Sequence, residues 1–315
     1  MNKNKVLLMV TMGLTIPFMI FFLFYSCIPK ATQAELILNY ERQRARLVPK
    51  GLDIQGVHMA YLEGGRGEPL LLIHGSGDDK DHWLKLARHL TGRFRVIAPD
   101  LPGFGESDRL LERSYRAKDQ VENLRAFTRA LGVKTFHLGG HSLGGKISGL
   151  YAARYPSQVK TLWLMAPAGV YSARPSQMQR LLRRGYHIPI YGKNIREFDL
   201  LLHFTMNKPP FIPRSVKEVL IERALADYSL HNRIYQEVAE EAQSLEEVAL
   251  KLTMPTLVVW GDQDRILDPS GAEVLERILP RPSVVLLEGV GHAPMLEEPK
   301  KTAEACLEFV DTVHP

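Results

Sequence analysis

The pentapeptide Gly140-His141-Ser142-Leu143-Gly144 constrains this chain more than any other stretch of it. An apolar run at residues 135–138 reads as a strand leading in, and residues 146–154 read as a helix leading out. A serine between two glycines in that setting occupies a sharp strand-to-helix turn that lifts its hydroxyl clear of the backbone. A side chain at either glycine would collide with neighbouring main chain. The helix that follows aims its free N–H groups at the serine, which favours developing negative charge there.

A serine hydroxyl is a weak nucleophile until a base removes its proton, and the base needs an acid to orient it. Where a serine follows a strand in this way, the acid and then the histidine come later in the chain. Residues 255–260 form an apolar strand that ends in an acidic loop, where Asp262, Asp264 and Asp268 compete for the role of acid. Residues 283–287 form a further strand that runs into Gly289-Val290-Gly291-His292. The chain has 11 histidines, and His292 stands apart because it lies in a glycine-flanked loop directly after a strand. In a parallel sheet, both loops open on the same edge.

Two upstream motifs complete the pattern. Residues 69–73 form a strand running into His74-Gly75-Ser76-Gly77, a turn suited to offering a main-chain N–H to an oxyanion. Ser76 is the expected first donor and Leu143, the residue after the nucleophile, the second. For His74 and Gly75 turn chemistry alone is a sufficient role. The loop Asp100-Leu101-Pro102-Gly103-Phe104-Gly105-Glu106-Ser107 follows another strand. It reads as a structural loop lining the site and not as a phosphate cradle, since no Lys-Ser or Lys-Thr pair follows its glycines.

Together these four motifs resemble the alpha/beta-hydrolase superfamily over residues 56–313. Within it the chain is most similar to the membrane-anchored monoacylglycerol lipases and their bacterial lipase and esterase relatives. The residues carrying that likeness are Ala166-Pro167-Ala168-Gly169, Trp260-Gly261-Asp262-Gln263-Asp264, and the stretches 267–272 and 298–303. The resemblance implies an α/β fold, a mostly parallel eight-stranded sheet with a helical cap, preceded by an N-terminal transmembrane helix. It also implies Asp264 as the acid, since the family reads Gly-Asp-x-Asp with the second aspartate catalytic. It implies no cofactor and no metal. Ser76 stands where lipases of this group often carry a bulky residue, and a serine there also occurs in carbon–carbon bond hydrolases of aromatic ring-cleavage products. His141 and Leu143 stand where relatives often have Thr and Met.

The N-terminus follows different rules. Residues 6–28 carry no charge, long enough to span a bilayer. A cleaved signal peptide usually has a shorter apolar run ending in small residues, whereas this one ends Phe24-Tyr25-Ser26-Cys27. Residues 1–30 are therefore expected to be an uncleaved, single-pass membrane anchor. Lys3 and Lys5 precede the span, and Lys30, Arg42, Arg44 and Arg46 follow it, so charge assigns no side. Residues 31–50, rich in Arg and Glu, read as a helical linker. The core is expected at 51–168 and 253–315, with an all-helical cap at 169–252 whose flexible apolar side chains suit an acyl chain.

With 45% hydrophobic residues and 24% charged, the chain can bury one large core. A net charge of +5 with no recognition motif argues against nucleic acid. The two cysteines, Cys27 and Cys306, are not expected to pair. The expected function is a membrane-anchored serine hydrolase of lipid-like acyl esters such as monoacylglycerols, acting through Ser142, His292 and Asp264. A carbon–carbon bond hydrolase and a catalytically silent interaction protein are the alternatives.

Overall fold

The computed structural model describes residues 28–186, 192–241 and 243–313. Among these, eight strands form one sheet in the order β1-β2-β4-β3-β5-β6-β7-β8. The strands are β1 (Leu47–Ile54), β2 (Val57–Gly65), β3 (Glu68–Ile73), β4 (Phe94–Pro99), β5 (Phe136–His141), β6 (Val159–Met165), β7 (Thr256–Gly261) and β8 (Pro282–Leu287). β1–β2 and β2–β4 pair antiparallel, and every later pairing is parallel. The mostly parallel eight-stranded sheet that the family resemblance implies is thus the observed one.

The helices in chain order are α1 (Lys30–Arg44), α2 (Leu84–Leu90), α3 (Ala117–Ala130), α4 (Leu143–Arg154), α5 (Gln177–Arg183), α6 (Ile195–Thr205), α7 (Arg214–Ala226), α8 (Tyr228–Ala239), α9 (Leu245–Ala249), α10 (Ser270–Ile278), α11 (Pro294–Glu297) and α12 (Pro299–Val313). Two apolar clusters back the sheet. One holds Leu124, Phe127, Ile147, Leu150, Tyr151, Val248 and Leu275. The other holds Trp83, Leu86, Leu90, Trp163, Cys306 and Phe309. α3 shows why such helices form: Val121, Leu124 and Thr128 recur at three- and four-residue spacing on its buried face. Each large apolar side chain removed from water there contributes about 1.5–3 kcal/mol.

The expected linker at residues 31–50 divides in two. Only α1 is helical, and from Leu47 the chain is already strand β1. β1 is an edge strand whose side chains are mostly exposed, so it lacks the apolar alternation that marks a strand in sequence. It turns into β2 through Gln55 and Gly56, both at positive φ, the two-residue hairpin geometry that fits strand twist. α1 packs beside α7, where Lys30 Nζ lies 2.7 Å from Glu218 Oε2. Its Arg42 binds the buried Asp81 carboxylate through two nitrogens, at 2.7 and 2.5 Å.

Between β6 and β7 the described residues form only helices, α5 to α9. Of the membrane anchor expected at residues 1–30, residues 1–27 lie outside the described residues, Cys27 among them, and Lys30 already opens α1. No helix among the described residues is long and apolar enough to cross a membrane.

Candidate active site

Register brings the motifs together. Ile73 pairs with Gly140, His141 with Met165, Met165 with Val259, and Gly261 with Leu287. The turn after β3, the elbow after β5, and the loops after β7 and β8 therefore open at one level of one sheet edge.

Ser142 has φ 52° and ψ −118°, a non-glycine residue in left-handed territory, and α4 starts at the next residue. Such a conformation costs on the order of 1–3 kcal/mol and persists only where packing enforces it. The packing is explicit. A Cβ on Gly140 would lie 2.2 Å from the Gly144 carbonyl oxygen, and one on Gly144 would lie 2.2 Å from that of Ile73. The elbow thus presses against the end of β3. Gly75 also comes near the nucleophile, since a Cβ there would stand 3.3 Å from Ser142 Cβ. Ser76 follows in that turn and is exposed, while Leu143 opens α4, where first-turn N–H groups have no intrahelical acceptor.

The three candidate acids separate. Asp264 Oδ2 lies 2.7 Å from His292 Nδ1 and accepts a bond from Trp260 Nε1 at 3.0 Å. Asp264 Oδ1 accepts main-chain N–H bonds from Ile266 at 2.8 Å and Leu267 at 3.0 Å. Four donors hold this buried carboxylate in one orientation. Asp262 instead accepts from the Gly289 N–H at 2.7 Å, shaping the histidine loop. Asp268 accepts from the Ser270 N–H at 3.1 Å at the start of α10. Trp260 as a partner of the acid is absent from the sequence reading, although the Trp-Gly-Asp-x-Asp pattern put it four residues away.

His292 is buried, and burial alone would lower its pKa. The Asp264 carboxylate, by charge and by hydrogen bond, outweighs that and raises it. The ring nitrogen bonded to Asp264 is Nδ1, which leaves Nε2 for another partner. The histidine loop is held twice: His292 N–H donates to the Thr205 carbonyl at 2.8 Å, and its own carbonyl accepts from His141 Nε2 at 2.9 Å.

His74 does turn chemistry. Its Nε2 accepts from the Leu101 N–H at 3.0 Å, so its Nδ1 donates to the Gly75 carbonyl at 2.8 Å. The 100–107 loop is likewise structural. The fully buried Asp100 binds Lys80 Nζ at 2.9 Å and the Glu106 N–H at 2.8 Å. Gly105 is obligatory there, because a Cβ would strike the Asp100 carboxylate at 2.2 Å.

The chain matches the family model described as alpha/beta hydrolase fold over residues 68–299. It is 38% identical to Lipase 1 of Psychrobacter immobilis over 274 residues, 85% of this chain and 86% of that one. It is 30% identical to a monoacylglycerol lipase of Homo sapiens over 282 residues, 84% of each chain. Among solved structures, a membrane phospholipase A described as a bacterial virulence factor superimposes with a TM-score of 0.87 at 39% identity, covering 98% of this chain and 99% of that chain.

Proposed function

The chain belongs to the alpha/beta-hydrolase family and is a carboxylic-ester hydrolase of the lipase and esterase type, and we propose that it cleaves lipid-like acyl esters such as monoacylglycerols from a membrane-anchored position. In this reading Ser142 Oγ attacks the ester carbonyl while His292 takes its proton. Asp264 holds the ring in the needed tautomer and stabilises the imidazolium. The Ser76 and Leu143 N–H groups receive the oxyanion, where each donor is worth about 10²–10³ in rate. His292 then protonates the leaving alcohol, and water, deprotonated by the same ring, releases the acyl group from Ser142. The single observation that carries this is the 2.7 Å contact of Asp264 with His292 beside the strained Ser142 elbow.

The lipid character of the substrate rests on the relatives, two of which are named for acting on lipid esters. Residues 169–252 serve as a cap over the acyl site, and the uncharged residues 6–28 as the anchor. The alternative of carbon–carbon bond hydrolysis has one feature in its favour, Ser76 in the oxyanion turn.

The test is a panel of short p-nitrophenyl esters, monoacylglycerols, a diacyl phospholipid and a ring-cleavage dienone, with wild type and Ser142→Ala. Wild type should turn over monoacylglycerol, and Ser142→Ala should lose on the order of 10⁶ in turnover together with fluorophosphonate labelling. Preferential dienone turnover would instead favour the alternative. Deleting residues 1–30 should release the protein from membranes with short-ester activity retained; full co-sedimentation of that variant would remove the anchor from the reading.

A further inference from the structure

Next to the nucleophile lies a second group of side chains to which the proposed ester cleavage assigns no bond-making or proton-transfer step. Asp78, His82 and His141 bring one carboxylate and two imidazoles together, with ligand atoms all within 4.8 Å of one another. His82 Nδ1 is 3.3 Å from Asp78 Oδ1, and His141 Nδ1 is 3.6 Å from Asp78 Oδ2.

The hydrogen bonding of His141 makes this cluster informative. Its Nε2 contacts the His292 main-chain carbonyl, which can only accept, so Nε2 carries the proton. In the neutral ring the lone pair is then on Nδ1. That atom is buried in a residue only 2% exposed and has no hydrogen-bond partner. It faces Asp78 Oδ2 at 3.6 Å, so a buried acceptor opposes the oxygen of a partly buried carboxylate. Such an arrangement is unfavourable unless a positive charge sits between them.

A Cβ on Gly75 would lie 2.7 Å from Asp78 Oδ2 and 3.0 Å from His141 Nδ1, so the glycine is what lets these two atoms approach the turn and each other. Two imidazoles and one carboxylate are the donor set of a borderline divalent transition metal; calcium and magnesium take oxygen ligands instead. We infer that Asp78, His82 and His141 form a three-ligand site for a divalent transition metal of the zinc class, separate from the Asp264–His292 pair.

Metal–ligand bonds of about 2.0–2.2 Å require the cluster to tighten. His82 is the side chain that moves. It sits on a short 3-10 turn, Lys80–Trp83, and its Nε2 has no hydrogen-bond partner to hold the ring. Its ring stacks on that of His141 with centroids 5.5 Å apart, so a side-chain rotation turns a nitrogen toward the space between His141 Nδ1 and the Asp78 carboxylate. Asp78 is carried by the turn itself, its N–H donating to the Gly75 carbonyl at 3.4 Å. The competing occupant is a proton shared between Asp78 and an imidazole, which predicts no metal binding.

The test uses the full chain in detergent micelles after chelator treatment. Co²⁺ is titrated while its visible absorption is followed, and Zn²⁺ is then added to displace it. The expected result is saturable one-to-one binding, displaced by Zn²⁺ and weakened at least about tenfold in both Asp78→Asn and His82→Ala. His292→Ala should bind as wild type, which separates this site from the proposed catalytic base. Circular-dichroism melts establish that each variant is folded, and His82→Gln replaces His82→Ala if the latter is not. Absence of saturable binding, binding unchanged in the Asp78 and His82 variants, or binding lost in His292→Ala would each overturn the inference and leave the ester-hydrolase reading intact.

Discussion

His141 Nε2 donates to the main-chain oxygen of His292 at 2.9 Å, so the residue before the nucleophile holds the loop that carries the histidine. The rings of the two residues also meet, with centroids 4.7 Å apart. Replacing His141 with Phe keeps an aromatic ring there and removes the donor. A buried carbonyl left without a partner costs about 1–3 kcal/mol. The expected outcome is a fall in kcat of about ten- to a hundredfold, at about 1.4 kcal/mol per decade, with KM little changed. Steady-state kinetics on a soluble ester checks this, and a rise in KM at unchanged kcat would show that the bond does not position the base.

The loop after β7 gives three aspartates three different jobs. Asp264→Asn should lower kcat by about 10⁴, the size of effect seen when the triad acid becomes an amide that supports the wrong tautomer. Asp262→Asn and Asp268→Asn should keep most of their turnover, because these carboxylates hold the Gly289 and Ser270 N–H groups and not the His292 ring. Comparable losses in all three variants would remove Asp264 from its proposed place.

The raised pKa of His292 has a direction in the pH profile. The ring acts as a base only when neutral, so activity is lost as pH falls through its pKa. Burial opposes the charged ring, but the Asp264 carboxylate prevails, so the acid limb of kcat/KM should lie above the ordinary histidine value of about 6.5. In the residual activity of Asp264→Asn the limb should move to lower pH. Measurement in chelator-treated buffer over pH 5–9 checks both, and a limb that stays in place without the carboxylate would contradict the assignment.

Lys146, one turn into α4, ties the elbow helix to the helical insertion. It is 1% exposed, and its Nζ is 3.4 Å from Glu241 Oε2 just beyond the end of α8. Glu241 also accepts the Ala117 and Lys118 N–H groups at 3.1 and 3.0 Å, closing the start of α3. Removing the carboxylate leaves a buried ammonium, for which broken buried pairs cost about 3–5 kcal/mol. Glu241→Ala should therefore destabilise more than Lys146→Met, which leaves the carboxylate its two main-chain donors. Urea unfolding with intrinsic fluorescence measures the difference, and the reverse order would assign the main role to the lysine.

Gly144 offers a steric test. Alanine there would drive its Cβ to within 2.2 Å of the Ile73 carbonyl oxygen and 2.4 Å of that of His74, both main-chain atoms. Neither can swing aside as a flexible side chain can, so Gly144→Ala should fold poorly or lose turnover together with thermal stability. Gly132→Ala is the control, since nothing lies within 4 Å of a Cβ there and only its φ of +68° carries a cost. Equal melting temperatures for the two variants would refute the close approach of α4 to β3.

What the sequence determined by itself is what short-range sterics and apolar periodicity dictate. The elbow at Ser142 needs glycines within two residues, and the inner strands β3, β5, β6 and β7 are buried and so read as apolar runs. Chain order then supplied the acid-bearing and histidine-bearing loops, and the family pattern pointed to Asp264. Tertiary structure decided what depends on register and on side chains meeting from distant positions. β1 was not legible, because an exposed edge strand has no face to keep apolar. Trp260 and two main-chain N–H groups around Asp264 became visible once the loop had closed on the carboxylate. The Lys146–Glu241 pair joins residues 95 positions apart in the chain, as 241 minus 146 gives. The cluster of Asp78, His82 and His141 has no ligand spacing to recognise, because one member arrives from β5 and two from the turn after β3. Those strands are neighbours in the sheet through a parallel pairing that runs from Leu70 with His137 to Ile73 with Gly140, and long-range pairing of that kind leaves no local signature in the chain.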